Sequence, residues 1–273
     1  MPPLKGTRPR LSNIFAIALA ATLSAAALIA YFRIEAREAV AVAKLKSRAD
    51  EIPPTVLWAW ERPEDLSFLD PREAGVAYLS RTIHLRGEET LVRPRFQPLN
   101  ISPQTYLIAV VRIETDGRAT PSLSAAQVEQ TATAAAESAQ AVGVRALQID
   151  FDAVVSEREF YRYLLTKLRA KLPERTPLSI TALASWCLRD DWLARLDVDE
   201  AVPMLFRMGV DDHRIKNFLE GGGEFTSPLC RSSAGLSTDE RVRVPREAAR
   251  RYVFNPRGWT KDSARSVIEE HER

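Results

Sequence analysis

The stretch that most constrains the fold is 146–153, Ala-Leu-Gln-Ile-Asp-Phe-Asp-Ala. Successive side chains on a strand point to opposite faces, so Leu147, Ile149 and Phe151 share one face while Gln148, Asp150 and Asp152 share the other. A parallel strand covered by helices is normally apolar on both faces. Two carboxylates at the C-terminal end of one face therefore need a reason to be there. The pattern fits the fourth strand of a (β/α)8 TIM-like barrel, a fold that builds its active site at the C-terminal ends of its strands.

The flanking sequence supplies the other strands. Runs of β-forming residues predict strands at 55–60, 75–82, 106–113, 178–184, 201–207 and 251–255, with a weakly patterned one between 225 and 236. A hairpin is expected over 83–96, around Arg86-Gly87-Glu88-Glu89. Helices alternate with the strands. One is opened by Ser124 with Gln127 three residues on and closed by Gly143, and another is opened by Ser156 with Glu159 in the same capping relation and stopped by Pro173. Further helices are expected at 189–196, 211–219, 245–250 and 260–270. The alternation favours parallel crossovers. No glycine-rich phosphate turn follows the first strand, which argues against a doubly wound open sheet. The 273 residues, 45% of them hydrophobic, suffice for one such barrel.

The barrel is preceded by two different segments. From Ile14 to Phe32 there is no charged residue, and Lys5, Arg8 and Arg10 come before it. Such a run is long enough to span a bilayer, with the positive end held in the cytoplasm. The small residues at 24–27 leave a cleaved signal peptide as the alternative. Residues 1–32 are thus read as a cytoplasmic tail with a transmembrane anchor or signal, 33–54 as a charged stalk ended by Pro53 and Pro54, and 55–273 as the barrel. The body is expected outside the cytoplasm, anchored to the inner membrane and facing the periplasm, or secreted if the segment is cleaved. In that oxidising setting Cys187 and Cys230, the only cysteines, are expected to form a disulfide. His84, His213 and His271 lack zinc-site spacing, and no metal or cofactor is expected. A net charge of +2 without a basic, aromatic-laced tract excludes a nucleic-acid groove.

Alternation also sorts the candidate chemistry. It groups Arg112 with Glu114 on the third strand and Ser179 with Thr181 and Ser185 on the fifth, and it sets Arg207 opposite Met204 and Phe206 on the sixth. Glu61 ends the first strand and Asn255 the eighth. Asp150, Asp152, Glu114 and Glu61 are the candidate acid/base residues, because glycosidic cleavage uses paired carboxyl groups held in different protonation states. Arg207, Trp186, Ser185 and Asn255 are the candidate substrate contacts. Trp58, Trp60 and Trp259 also fall near strand ends, where flat rings can stack on sugars. A structural alternative for the acids is neutralisation by Arg112 and Arg207 inside the barrel.

Four motifs carry a family resemblance: Leu147-Gln-Ile-Asp-Phe-Asp-Ala153, Thr181-Ala-Leu-Ala-Ser-Trp-Cys187, Asp199-Glu-Ala-Val-Pro-Met-Leu-Phe-Arg-Met-Gly209 and Ser237-Thr-Asp-Glu240. Together they resemble a bacterial family designated domain of unknown function 3142, which implies no established activity. More distantly, the acidic strand is similar to the fourth strand of chitinase-like glycoside hydrolases, whose motif runs Asp-x-Asp-x-Glu. Asp150 and Asp152 match its aspartates, and Val154 occupies the glutamate position. Glu157 follows but is expected to cap a helix. These features imply a glycoside hydrolase-like protein acting on a cell-envelope or extracellular polysaccharide. The alternative is a carbohydrate-binding or scaffold protein on the same barrel that does not cut its ligand.

Overall fold

A computed structural model describes residues 49–189 and 191–272, together with Tyr31 and Arg33. The chain divides into two compact units, 1–47 and 48–273, and the second holds the fold described here. The segment expected to anchor the chain, 14–32, lies outside the described residues apart from Tyr31, as does most of the expected stalk. Among the described residues, no helix is long and apolar enough to cross a membrane.

Among the described residues, eight parallel strands close into a barrel: β1 (Thr55–Ala59), β3 (Ala74–Arg86), β6 (Leu107–Thr115), β7 (Val144–Asp150), β8 (Leu178–Leu183), β9 (Glu200–Met204), β10 (Ser233–Ser237) and β11 (Arg250–Phe254). Closure is set by β1, which pairs in parallel with β11 on one side and β3 on the other. β4 (Glu89–Pro94) folds back antiparallel on the end of β3, as the hairpin reading anticipated. The short strands β2 (Glu64–Asp65) and β5 (Leu99–Asn100) form a separate ribbon. The helices are α1 (Ala125–Ala139), α2 (Arg158–Lys171), α3 (Ala184–Arg189), α4 (Asp212–Glu220) and α5 (Lys261–Glu272).

Alternation explains the layers. Leu147 and Ile149 of β7 point outward into the core beneath α1 and α2, against Ala132, Ala135, Leu164 and Leu168. The inward residues of β7 meet polar partners instead. The Trp58 indole N–H donates to Gln148 Oε1 at 2.8 Å, and the Gln148 amide donates to Ser179 Oγ at 3.2 Å. Lower in the barrel, the Tyr252 hydroxyl donates to the buried Glu200 carboxylate at 2.9 Å, which Arg250 also holds. Buried polar groups are costly unless paired in this way. Gly235 is required where the Trp58 ring crosses the interior. A Cβ there would stand 3.0 Å from Trp58 Cη2 and 3.2 Å from Met204 Sδ.

Three expected elements differ. Residues 245–249 form turns, with the Ala248 N–H on the Pro245 carbonyl, and no helix. Only Pro245 and Ala248 of this stretch are buried, too little apolar face to hold so short a helix by packing. The helix expected at 189–196 begins earlier, as α3 directly at the end of β8, followed by a 3-10 turn at Asp191–Arg195. The Ser156–Glu159 capping box is replaced by Glu157, whose carboxylate accepts the Val154 N–H at 2.9 Å. The Ser124 cap forms as expected, with its hydroxyl accepting the Gln127 N–H.

Cys187 of α3 and Cys230, just before β10, are joined in a disulfide across 43 residues. A cross-link of that span contributes about 4 kcal/mol by the loop-entropy argument. Replacing both cysteines by serine is expected to lower Tm by roughly 10 °C in a domain of this size. Thermal unfolding followed by circular dichroism, with and without reductant, checks this.

Candidate active site

The C-terminal ends of the barrel strands enclose a cavity of about 330 Å3 lined by Asp150, Asp152, Arg112, Thr181, Ser185 and Arg207 together with aromatic side chains. Asp150 is the last residue of β7 and is only 9% exposed. Its Oδ1 accepts the Thr181 hydroxyl at 2.7 Å, and the Arg112 guanidinium lies 3.6 Å from its other oxygen. Burial raises the Asp150 carboxyl above the usual carboxylate range, against the opposing pull of Thr181 and Arg112. Asp152 follows at the mouth, where its side chain reaches solvent. Its carboxyl is raised too, by the loss of water on its barrel side, with Arg112 acting in the opposite direction.

A chain of contacts leads away from the pair along the strand ends. Arg112 donates to Glu114 at 2.7 Å, and Glu114 lies 3.2 Å from His84 Nδ1. Burial disfavours the charge on Arg112, but Asp150 and Glu114 outweigh it and hold its pKa above the ordinary value. Arg112, Glu114, Asp150 and Asp152 share a depression of about 250 Å3 beside the main cavity. Glu114 also lines a second groove, with Glu61 and His84. The expected mouth of four acids is therefore divided. Asp150 and Asp152 line the cavity, Glu114 sits at the junction, and Glu61 lies in the neighbouring groove. Alternation accounts for Glu61: Val56 and Trp58 lie in the interior core and Trp60 lines the cavity, so the odd-numbered positions of this segment take the other face.

The candidate substrate contacts separate in the same manner. Ser185 and Arg207 line the cavity. Trp186 does not. It is 4% exposed and packs edge-on against Trp192 at 4.9 Å, because the chain is already helical there and no longer alternates. Asn255 is buried away from the cavity, its side-chain oxygen accepting the Thr238 hydroxyl and the Arg257 N–H. Trp259 is also buried, donating to the Trp58 carbonyl at 2.8 Å. Arg207 was placed opposite Phe206, yet both line the cavity. β9 ends at Met204, and Arg207 takes a left-handed conformation with φ 51°. Its guanidinium is bonded to Asp239 and lies over the rings of Phe206 and Phe254, 5.6 and 5.5 Å from their centres.

Phe206 and Phe254 form an aromatic wall that was not identified from the sequence. Their rings stack at 5.9 Å with 9° between planes, and Trp58 and Trp60 complete the lining. The signal was present: the inward position of Tyr252 places Phe254, not Asn255, inside the barrel. Val154, at the position of the chitinase-like glutamate, is 59% exposed and lies outside the cavity lining.

Residues 104–214 match the family model described as Domain of unknown function (DUF3142). Three of the four motifs that carry the resemblance fall in that span. No curated protein matches the chain. Among solved structures, a Streptomyces coelicolor protein assigned as chitinase A is similar at 9% identity and TM-score 0.53, covering 80% of this chain and 98% of that one. The Bacillus cereus spore cortex-lytic enzyme SleL is similar at 15% identity and TM-score 0.42, over 68% of this chain and 51% of that one. A Rhizomucor miehei chitinase gives 12% identity and TM-score 0.41, over 67% and 68%. At 9% identity, the Streptomyces coelicolor likeness shows a shared barrel fold.

A folded-state pKa raised above the ordinary value contributes stability that is complete below about 3.8 and is lost as pH rises through the raised value. Asp150→Asn keeps an oxygen for the Thr181 hydroxyl and removes the titration. Its Tm is expected to exceed that of the native chain near pH 7 and to match it near pH 3, as calorimetry across that range would show. A variant less stable near pH 7 would mean that Arg112 requires the ionised carboxylate.

Proposed function

We propose that this chain is a glycoside hydrolase-like protein that acts on a cell-envelope or extracellular polysaccharide, with Asp152 as the proton-transferring group. The observation that carries this reading is the placement of Asp152 in an aromatic-walled cavity at the C-terminal ends of the strands, beside the buried Asp150. Flat rings such as Trp60 and Phe254 offer faces to the C–H surface of a sugar, and Asp152 reaches the same space. A carboxyl raised above its usual range holds a proton to a higher pH, as donation to a leaving glycosidic oxygen requires. Asp150 supports it from below, anchored by Thr181. Glu114 is the second carboxylate, since it shares the adjoining depression with both aspartates and is oriented by Arg112. Glu61 takes no part in the chemistry. A location outside the cytoplasm, anchored through 14–32, is part of the same proposal and is supported by the Cys187–Cys230 disulfide.

A second reading, a barrel that binds saccharide without cutting it, is favoured by Val154 standing where a chitinase-like acid would be. One experiment separates them. The full-length chain and its Asp152→Asn variant are screened for release of reducing ends from bacterial and plant polysaccharides, and both are passed over columns of the same polymers. The hydrolase reading expects turnover that falls by at least about a hundredfold in the variant while retention on the column persists. Retention of both proteins with turnover by neither would establish the binder.

A further inference from the structure

The hairpin built on β3 makes a second groove of about 510 Å3, against about 330 Å3 for the central cavity. Its geometry depends on an irregularity in β3, whose register against β6 shifts between Leu79 and Arg81. Before the shift Ala77 faces the barrel interior, and after it Ile83 and Leu85 face the outer core. Thr82 and His84 consequently turn towards the mouth. β4 pairs Arg93 with Thr82 and Leu91 with His84. Directly opposed residues share a face, so Arg93, Thr82 and His84 stand together on the groove wall. Phe96, just past β4, lines the same groove and is 84% exposed.

The groove is continuous with the site. Glu114 lines both the groove and the depression that holds Asp150 and Asp152, and Arg112 lines both that depression and the central cavity. Its charge is unbalanced. The carboxylates are Glu61 and Glu114, and Glu114 is already held by Arg112 and His84. Arg81 is paired with Glu137. Arg95 donates only to main-chain carbonyls, those of Ala59, Trp60, Arg62 and Gln97. Among the described residues, the Arg93 guanidinium makes no hydrogen bond or ion pair. A free, forked cation beside a solvent-facing aromatic ring suits a sugar that carries a carboxylate, because guanidinium matches carboxylate geometry in two parallel bonds.

We propose that this groove continues the substrate cleft and selects an acidic polysaccharide, with the carboxylate of a uronate unit on Arg93 and its ring on Phe96. The inference rests on the saccharide reading of the central cavity and names the class of polymer. It is tested by calorimetric titration of the full-length chain in mild detergent with hexamers of galacturonate and of mannuronate, beside the neutral hexamer cellohexaose. The acidic hexamers are expected to bind more tightly, with a margin that shrinks as salt is raised. Arg93→Ala should narrow that margin about three- to fivefold, and Arg93→Lys should restore part of it. Equal affinity for acidic and neutral hexamers, or a margin unchanged in Arg93→Ala, would overturn the groove proposal and leave the saccharide reading standing. Binding of no hexamer of either kind would overturn both.

Discussion

The burial of one carboxylate at the top of a closed barrel is the constraint around which this site is arranged. Asp150 sits where β7 ends, with little access to water, and a charge there is expensive unless neighbours supply what solvent does not. Thr181 supplies a hydroxyl from β8 and Arg112 a positive charge from β6. Arg112 in turn engages Glu114, and Glu114 meets His84 on β3. Four neighbouring strands thus contribute one side chain or more each to a single polar chain at the barrel mouth. Closure of the ring through β1 brings Trp58 and Trp60 round to face it.

Below this chain the interior repeats the same solution. Gln148 lies one inward step beneath Asp150 and is shared between Trp58 and Ser179. Further down, Glu200 is satisfied by Tyr252 and Arg250. These paired polar positions sit within an otherwise apolar interior that includes Val56, Ile108, Val110 and Val202, where an unpaired polar group would be costly. Val154 then bears on function in a specific way. Residue 154 is part of the turn that leads into α2, and its backbone N–H is committed to the Glu157 carboxylate. On the hydrolase proposal, the proton-transferring group is therefore Asp152 itself and the second carboxylate comes from across the mouth.

Much of this was legible beforehand. The alternation in 146–153 assigned Asp150 and Asp152 to one face and Leu147 and Ile149 to the other, because a two-residue period survives any packing that keeps the strand. The hairpin over 83–96 and the Ser124 cap followed from equally local chemistry. Trp186 was misplaced because the chain turns helical at Ala184, and rotation about a helix replaces alternation there. Phe206 was assigned to the wrong face because β9 ends at Met204 and the chain beyond it follows no strand period. With Arg207 in a left-handed conformation, Phe206 and Arg207 both line the cavity.

Local order along this chain was therefore written in its residues: which face of each strand is oily, where the acids lie, where helices are capped, and that position 154 is valine. Which acids meet was settled by folding. Glu61 lies just past the end of β1 and Glu114 near the end of β6, and both line the hairpin groove, yet only Glu114 also joins Asp150 through Arg112. That outcome depends on the stagger between neighbouring strands and on the register shift in β3. Both are fixed only when the ring closes, because strand register is a relation between distant segments that no single segment encodes.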